Sequence, residues 1–542
     1  MSGASVAPAS GDDCTGKYRP ARPDLGGQCR AGRAAVYPLG RQQGTAGTYP
    51  AKTRGRAVSG VRRALFITFL DKYSGLLIGI MSTVVLSRLL TPEEIGVFSV
   101  AAVFVFLATI LREFGIGDYL VQAREVTQTG LNAAFTLMLT TSWVLAAILW
   151  GISGLAADFY HEPGVEGVIH VLALNFILVP FGAIFMALLR REMKFGISYR
   201  IHLAQNIVHA GTGISLAYWG LGYMSLAWAS LAGVVVTVLG ATWYRPKTLR
   251  LGLAFSGVGK VMRFGGWVMI STVCEQLAGR VPELLIGKVQ NMAQVGFYSR
   301  ANGLVEMFDQ GVMQAAAPVV MPHFSRLKRE DEEIATHFLK VVSYIVAVAW
   351  PFYMLLALMA EPVIRVLYGD QWGAAVPLAQ ALCAFGALKA FTPYAGMIMR
   401  SLGGARDEAL VQSGFFVLLL IILAATYTYG TQAIAWSVVL AGAGRVLFLL
   451  SRLKHLIGFS WREYCTVILQ GGLLALFTLA IPLAAWFGLT FVHTAAWLGF
   501  LVVGGSAFIS WLLVLRLMRH PLYAEVDGLI GRYLPSLAIR KK

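Results

Sequence analysis

Apolar stretches of about 20 residues, the length that carries a helix across a hydrocarbon core, recur from Leu65 to Leu517 with short polar links between them. In lipid, every backbone N–H and C=O must find its partner inside the segment itself. A chain patterned this way therefore folds as an all-α integral membrane bundle and not as a soluble globule. Composition agrees: 57% of the 542 residues are apolar and only 13% are charged. Fourteen candidate spans are centred near Ile80, Phe104, Ser142, Ile177, Ala210, Ala232, Leu277, Phe308, Ala349, Phe385, Leu418, Leu440, Leu476 and Gly505.

Charge orients the spans. The links on one side hold 20 Lys and Arg, from Arg112 and Arg124 through Arg190, Arg191 and Lys194 to Arg452, Lys454 and Arg462. The alternate links hold about three: Arg88, Lys288 and Arg365. The positive-inside rule then places both termini in the cytoplasm and requires an even number of spans. The net charge of +17 is explained by this placement, so no nucleic-acid partner is expected.

Residues 1–58, rich in Gly, Pro, Ala and Arg, have no apolar run and no signal-peptide core. They read as a disordered cytoplasmic tail, or as the product of an over-called translation start. The rest divides into 59–250 (spans 1–6), 251–455 (spans 7–12) and 456–542 (spans 13–14 with a basic tail). An internal repeat supports the division. RLLTPEEIGVFS from Arg88 lies over KVQNMAQVGFYS from Lys288, pairing Ile95 with Val295, Gly96 with Gly296, Phe98 with Tyr298 and Ser99 with Ser299. The offset of 200 covers six spans, so two six-helix lobes of like orientation are expected, with a substrate path between them.

The five cysteines show no paired spacing and the nine histidines no ligand motif, so neither disulfides nor a metal centre is expected. His202 and His209 share a helix face, either as ordinary polar residues of the bundle or as a proton relay. There is no P-loop and no constellation for nucleophilic or metal catalysis; the chain does not read as an enzyme.

Ionisable residues inside spans are costly and mark function by default. They gather in spans 7 and 8. Span 7 carries Glu275, Gln276, Arg280, Glu283 and Lys288; span 8 carries Arg300, Asn302, Glu306 and Asp309; span 1 adds Asp71 and Lys72, and span 10 adds Lys389. One reading is a polar cavity bounded by spans 1, 2, 7 and 8. The other is a structural network, with Arg280 and Glu283 paired three residues apart and Asp71 and Lys72 reaching out to the interface. Pro282 removes a helix hydrogen bond, so span 7 is expected to bend or break there.

The segments LSRLLTPEEIGVFSVAAVFVFLATILREFGIGDYLVQ, LLRREMKFGISYR, YWGLGYMSLAWASL, LLIGKVQNMAQVGFYSRANGL, MPHFSRLKREDEE and EPVIRVLYGDQWGAAVPLAQ cover roughly residues 60 to 450. They resemble, in order, the Wzx-type polysaccharide flippases of the multidrug/oligosaccharidyl-lipid/polysaccharide exporter superfamily, most closely the colanic-acid, succinoglycan and xanthan subgroup. The resemblance implies a two-lobed, V-shaped bundle in a bacterial cytoplasmic membrane. It also implies ion-coupled alternating access that moves an undecaprenyl-diphosphate-linked repeat unit to the outer leaflet for exopolysaccharide or O-antigen assembly, with polymerase and export proteins as partners. No cofactor is implied beyond a proton or sodium gradient. These proteins often carry Asp just before the LLIG run, where this chain has Pro282 and Glu283.

A diphosphate headgroup needs fixed cations, which Arg280, Arg300 and Lys389 would supply. The acids Glu275, Glu283, Glu306 and Asp309 would bind a coupling proton or sodium ion, while Gln276, Pro282 and Asn302 would line or hinge the cavity. Two alternatives are open at this point: a proton- or sodium-coupled multidrug exporter, whose cationic cargo would suit those acids, and a non-transporting scaffold for glycosyltransferases.

Overall fold

The computed structural model describes residues 53–113, 128–245, 252–254, 266–330, 332–490 and 496–533. Most of the expected tail lies outside them, as do Arg124, Lys247, Arg250, Lys260 and Arg263 of the basic links. The described residues are helical apart from short links. In chain order the helices are α1 (Thr53–Leu89), α2 (Pro92–Glu113), α3 (Gln128–Tyr160), α4 (Pro163–Arg191), α5 (Phe195–Tyr218) and α6 (Met224–Trp243). Next come α7 (Gly266–Val289), α8 (Met292–Phe308), a π-helical turn (Asp309–Met313), α9 (Gln314–Glu330), α10 (Ile334–Leu358), α11 (Ala360–Tyr368) and, after a 3-10 turn (Asp370–Ala375), α12 (Val376–Lys389). The chain ends with α13 (Ala395–Ser401), α14 (Ala405–Thr426), α15 (Thr431–Ile457), α16 (Trp461–Thr490), α17 (Ala496–Leu517) and α18 (Pro521–Tyr533).

Two expectations change. Residues 53–58, assigned to the tail, belong to α1, because no proline interrupts the run from Thr53 into the first apolar stretch. Helix α7 runs unbroken through Pro282; one missing hydrogen bond is tolerated where α7 packs along α14 and α2. The irregular turn instead follows α8, at Asp309–Met313.

Among the described residues nine helices are long and apolar enough to cross a bilayer, and the bent pair Leu501–Leu517 with Pro521–Gly528 makes a tenth candidate. All fourteen expected centres fall in helices. Those in α5, α7, α8 and α12 are not among the nine, since these helices are either short or interrupted by polar side chains. The outward-facing side chains are those lipid demands: Leu77, Leu155, Trp243, Leu447 and Leu501 are all more than 60% exposed, an arrangement that would aggregate in water.

Helices α1 to α6 pack largely on one another, and so do α7 to α15; α16 packs on α10 and carries α17. The main contact between the first two groups is the crossing of α2 with α8. Both helices start alike. The side chains of Thr91 and Glu94 cap the first turn of α2 reciprocally, and Asn291 accepts the Gln294 N–H at 3.0 Å to cap α8. At the crossing, Gly96 lies on the Met292 carbonyl and Gly296 on the Pro92 carbonyl, so a Cβ on either glycine would overlap opposing backbone. Between them the Ser99 hydroxyl donates to the Ser299 hydroxyl at 3.0 Å, residues 200 apart in the chain. The repeat seen in sequence is thus a reciprocal, two-fold contact in space, made by the small residues that let membrane helices approach backbone to backbone.

Gly96→Ala is expected to force α2 and α8 apart and to lower the melting temperature of the solubilised protein, by a loss of about 1–3 kcal/mol. Gly154→Ala, where no atom lies within 4 Å of the added Cβ, is the control and should not. Equal melting temperatures for both would show that the crossing is looser than described.

Candidate functional site

The end of the bundle where α1 turns into α2, α3 into α4 and α7 into α8 is tied across the crossing by bonds to backbone carbonyls. The Arg88 guanidinium donates to the Val366 carbonyl, and the Lys288 ammonium to the Phe159 carbonyl, both at 2.6 Å. These two basic residues are the equivalent positions of the repeat, and each reaches into the opposite group of helices. Trp372 Nε1 and Gln371 Nε2 both donate to the Ser87 carbonyl at 2.8 Å, and the Tyr160 hydroxyl to the Leu284 carbonyl at 3.2 Å. This is the end poor in Lys and Arg.

A cavity of about 470 Å³ lies beside α1, lined by Lys72, Gly79 and Thr83 of α1, Arg300 and Gly303 of α8, Gln310 of the π turn, Gln314 of α9 and Tyr368 of α11. Gly79 and Gly303 leave it open, with nothing within 4 Å of where a Cβ would sit. Of the four expected walls, α1 and α8 contribute to it; α2 and α7 do not.

Arg300 is the expected headgroup cation found in this cavity. Its guanidinium sits 5.8 Å from the Trp372 ring centroid, and its Nε is buried with no hydrogen-bond partner. Across from it, Lys72 Nζ donates to Gln314 Oε1 at 3.1 Å. Among the described residues neither side chain forms an ion pair. The other two expected cations are engaged by acids. Arg280 lies 3.6 Å from Glu283, which is 2% exposed, and rests over the Phe106 ring at 4.9 Å. Lys389 pairs with Asp309 at the start of the π turn. That turn is held further by the Tyr73 hydroxyl on the Gly311 carbonyl at 2.9 Å and the Tyr394 hydroxyl on the Met313 carbonyl at 2.8 Å.

The remaining expected residues are also placed. Glu306 accepts from Asn302 at 2.8 Å, Glu275 pairs with Arg445 at 3.0 Å, and Gln276 is exposed on α7. Glu283 Oε1 is buried without a hydrogen bond. Several pairings escaped the sequence reading. Arg445 stands alone in the apolar run of α15, which was signal enough to find it. Arg400 bonds Glu408, itself 2% exposed, at 2.7 Å. Asp71 reaches inward to His202 at 2.9 Å, beside a second cavity of about 410 Å³ lined by Arg190, Gln205 and Thr237.

The Arg280–Glu283 contact has a direct consequence. Arg280→Gln should strand a buried carboxylate, cost about 3–5 kcal/mol and lower the amount of protein in the membrane; adding Glu283→Gln should restore it. Immunoblots of membranes carrying both singles and the double check this. Normal abundance of Arg280→Gln would show that the pair is not structural.

Known proteins are similar to this chain in sequence and in fold. A family model described as polysaccharide biosynthesis protein matches residues 85–377. The chain is 27% identical over 461 residues to the lipopolysaccharide biosynthesis protein WzxC of Escherichia coli (strain K12), covering 83% of this chain and 92% of that one. It is 24% identical to the teichuronic acid biosynthesis protein TuaB of Bacillus subtilis (strain 168), covering 73% and 82%. In fold it is similar to a solved structure titled lipid II flippase MurJ, inward closed conformation, with a TM-score of 0.67 at 12% identity, covering 84% of this chain and 98% of that one. The chain belongs to the polysaccharide biosynthesis protein family, in the Wzx-type group that its motifs resemble.

Proposed function

We propose that this protein is a flippase of a bacterial cytoplasmic membrane, moving oligosaccharides linked to a polyprenyl diphosphate from the inner to the outer leaflet for surface polysaccharide assembly. The observation that carries the reading is the pair Arg300 and Lys72, two cations without acid partners facing one cavity in a chain of this family. Cations within a membrane bundle and without counter-charges are unfavourable unless a ligand supplies one, and a diphosphate supplies it in the form a guanidinium binds best, two oxygens at a time. Membership of the family and the flippase fold support the same reading.

The cationic-drug alternative loses its support. Of the four acids that would attract such a cargo, Glu275, Glu283 and Asp309 are matched by Arg445, Arg280 and Lys389, and Glu306 is bonded by Asn302.

In this reading α1 opens a first lobe that ends at residue 250 and a second covers 251–455, with the last two spans appended, fourteen spans in all. Both termini are cytoplasmic, which makes the tied end the outer one and the cavity a site loaded from the cytoplasm. Of the expected coupling acids, Glu283 is the most buried, with its Oε1 3.6 Å from Arg280 and outside hydrogen-bond distance, so a coupling proton would compete with that pairing. Polymerase and export proteins would receive the flipped unit.

Arg300→Gln and Lys72→Gln are expected each to reduce surface polysaccharide at least tenfold, about 1.4 kcal/mol or more of lost binding, with membrane abundance unchanged. Arg300→Lys keeps the charge without the fork and should retain part of the activity. Full export by either Gln variant would refute the headgroup assignment.

A further inference from the structure

The cavity and the tied end share one side chain. Trp372, fully buried in the 3-10 turn between α11 and α12, offers its ring face to the Arg300 guanidinium at 5.8 Å and its indole N–H to the Ser87 carbonyl of α1 at 2.8 Å. Its ring is also met edge-on by Tyr368, a lining residue of the same cavity, at 6.2 Å. The neighbouring Gln371 bonds the Ser87 and Leu90 carbonyls. Anything that moves this turn therefore acts on α1 at the tied end.

We propose that Trp372 is the positioning residue through which an occupied headgroup site releases the tied end: a prenyl diphosphate draws Arg300 off the indole ring, and the indole then gives up Ser87. The inference rests on the headgroup reading of Arg300 given above. The direction of exchange follows from charge. A ring attracts a cation only through its quadrupole, whereas a diphosphate offers full negative charge and charge-assisted hydrogen bonds, including an acceptor for the buried Arg300 Nε, which has none. Without ligand, Arg300 stays stacked and the Trp372–Ser87 bond holds. With ligand, the stacking is lost and the equilibrium moves toward the untied state by the difference in affinity between the two.

The test uses the purified full chain in nanodiscs, its native cysteines replaced, carrying Ser99→Cys in the interface between α2 and α8, where Ser99 is only 8% exposed. The rate of maleimide labelling reports opening of that interface, and farnesyl diphosphate is the probe, with farnesol as its uncharged control. Farnesyl diphosphate is expected to raise the labelling rate at least about threefold, and farnesol to leave it unchanged. Trp372→Phe keeps a ring under Arg300 but has no N–H for Ser87, so its labelling should already be fast without the probe and gain little from it; Trp372→Tyr serves in the same way if the Phe variant does not accumulate. A substitution that merely loosened packing would leave the response to the probe in place. Parent-like basal labelling with an intact response in the Trp372 variant would overturn the proposal. Binding of farnesyl diphosphate to Arg300→Gln separates the two layers of the argument. Undiminished binding there defeats the headgroup reading itself, while lost binding together with a parent-like Trp372 variant defeats only the relay.

Discussion

Two glycines, Gly96 and Gly296, let α2 and α8 meet backbone to backbone, each under the carbonyl that is its partner's equivalent in the repeat. Lipid gives helices no hydrophobic reason to associate, so close packing and polar contacts must hold them. The crossing supplies both, since the Ser99–Ser299 hydrogen bond lies beside the glycines. It also sets the rest of the arrangement. With α2 and α8 fixed this closely, the ends of α1 and α7 come within reach of the opposite group, and Arg88 and Lys288 can each bond a carbonyl across the boundary. The cavity beside Arg300 lies next to that closure.

The distribution of charge around the cavity matters as much as its presence. A charge buried in a bundle is stable when matched and unfavourable when alone. Arg280, Lys389, Arg400 and Arg445 are each matched by a carboxylate; Arg300 and Lys72 are not. Matched and unmatched cations are thus separated within one polar network, and in the proposed reading an anionic headgroup is the partner that Arg300 and Lys72 lack. Arg300 also touches the closure through Trp372, so the side chain proposed to sense the ligand is the one in contact with what must move.

Much of this was legible in the sequence, and the parts that were not have identifiable reasons. The apolar periodicity gave the helices, and the offset of 200 marked the two segments that the structure brings together at the crossing, because symmetry in the chain becomes symmetry in space when two like units pack face to face. Arg300 stood out as a cation placed inside a span. Lys72 was left open between cavity wall and membrane interface, because the chain alone does not show what faces it. Helix α1 in fact starts at Thr53, and Lys72 lies on it where it lines the cavity and bonds Gln314. The Lys389–Asp309 pair joins residues 80 apart, and no local pattern announces it. Proline was a poor guide to backbone irregularity, for α7 continues as one helix through Pro282, while the π turn at Asp309–Met313 contains no proline and is held by Tyr73, Tyr394 and Lys389.

The central claim is that the tied end must open for cargo to pass, and a reversible lock tests it most directly. In a chain lacking its five native cysteines, Ser99→Cys and Ser299→Cys would place two thiols where the hydroxyls now sit 3.0 Å apart. Oxidation in living cells should join them, stop surface polysaccharide export, and allow export to resume on reduction, while either single substitution exports throughout. Undiminished export by a fully cross-linked population would contradict the account.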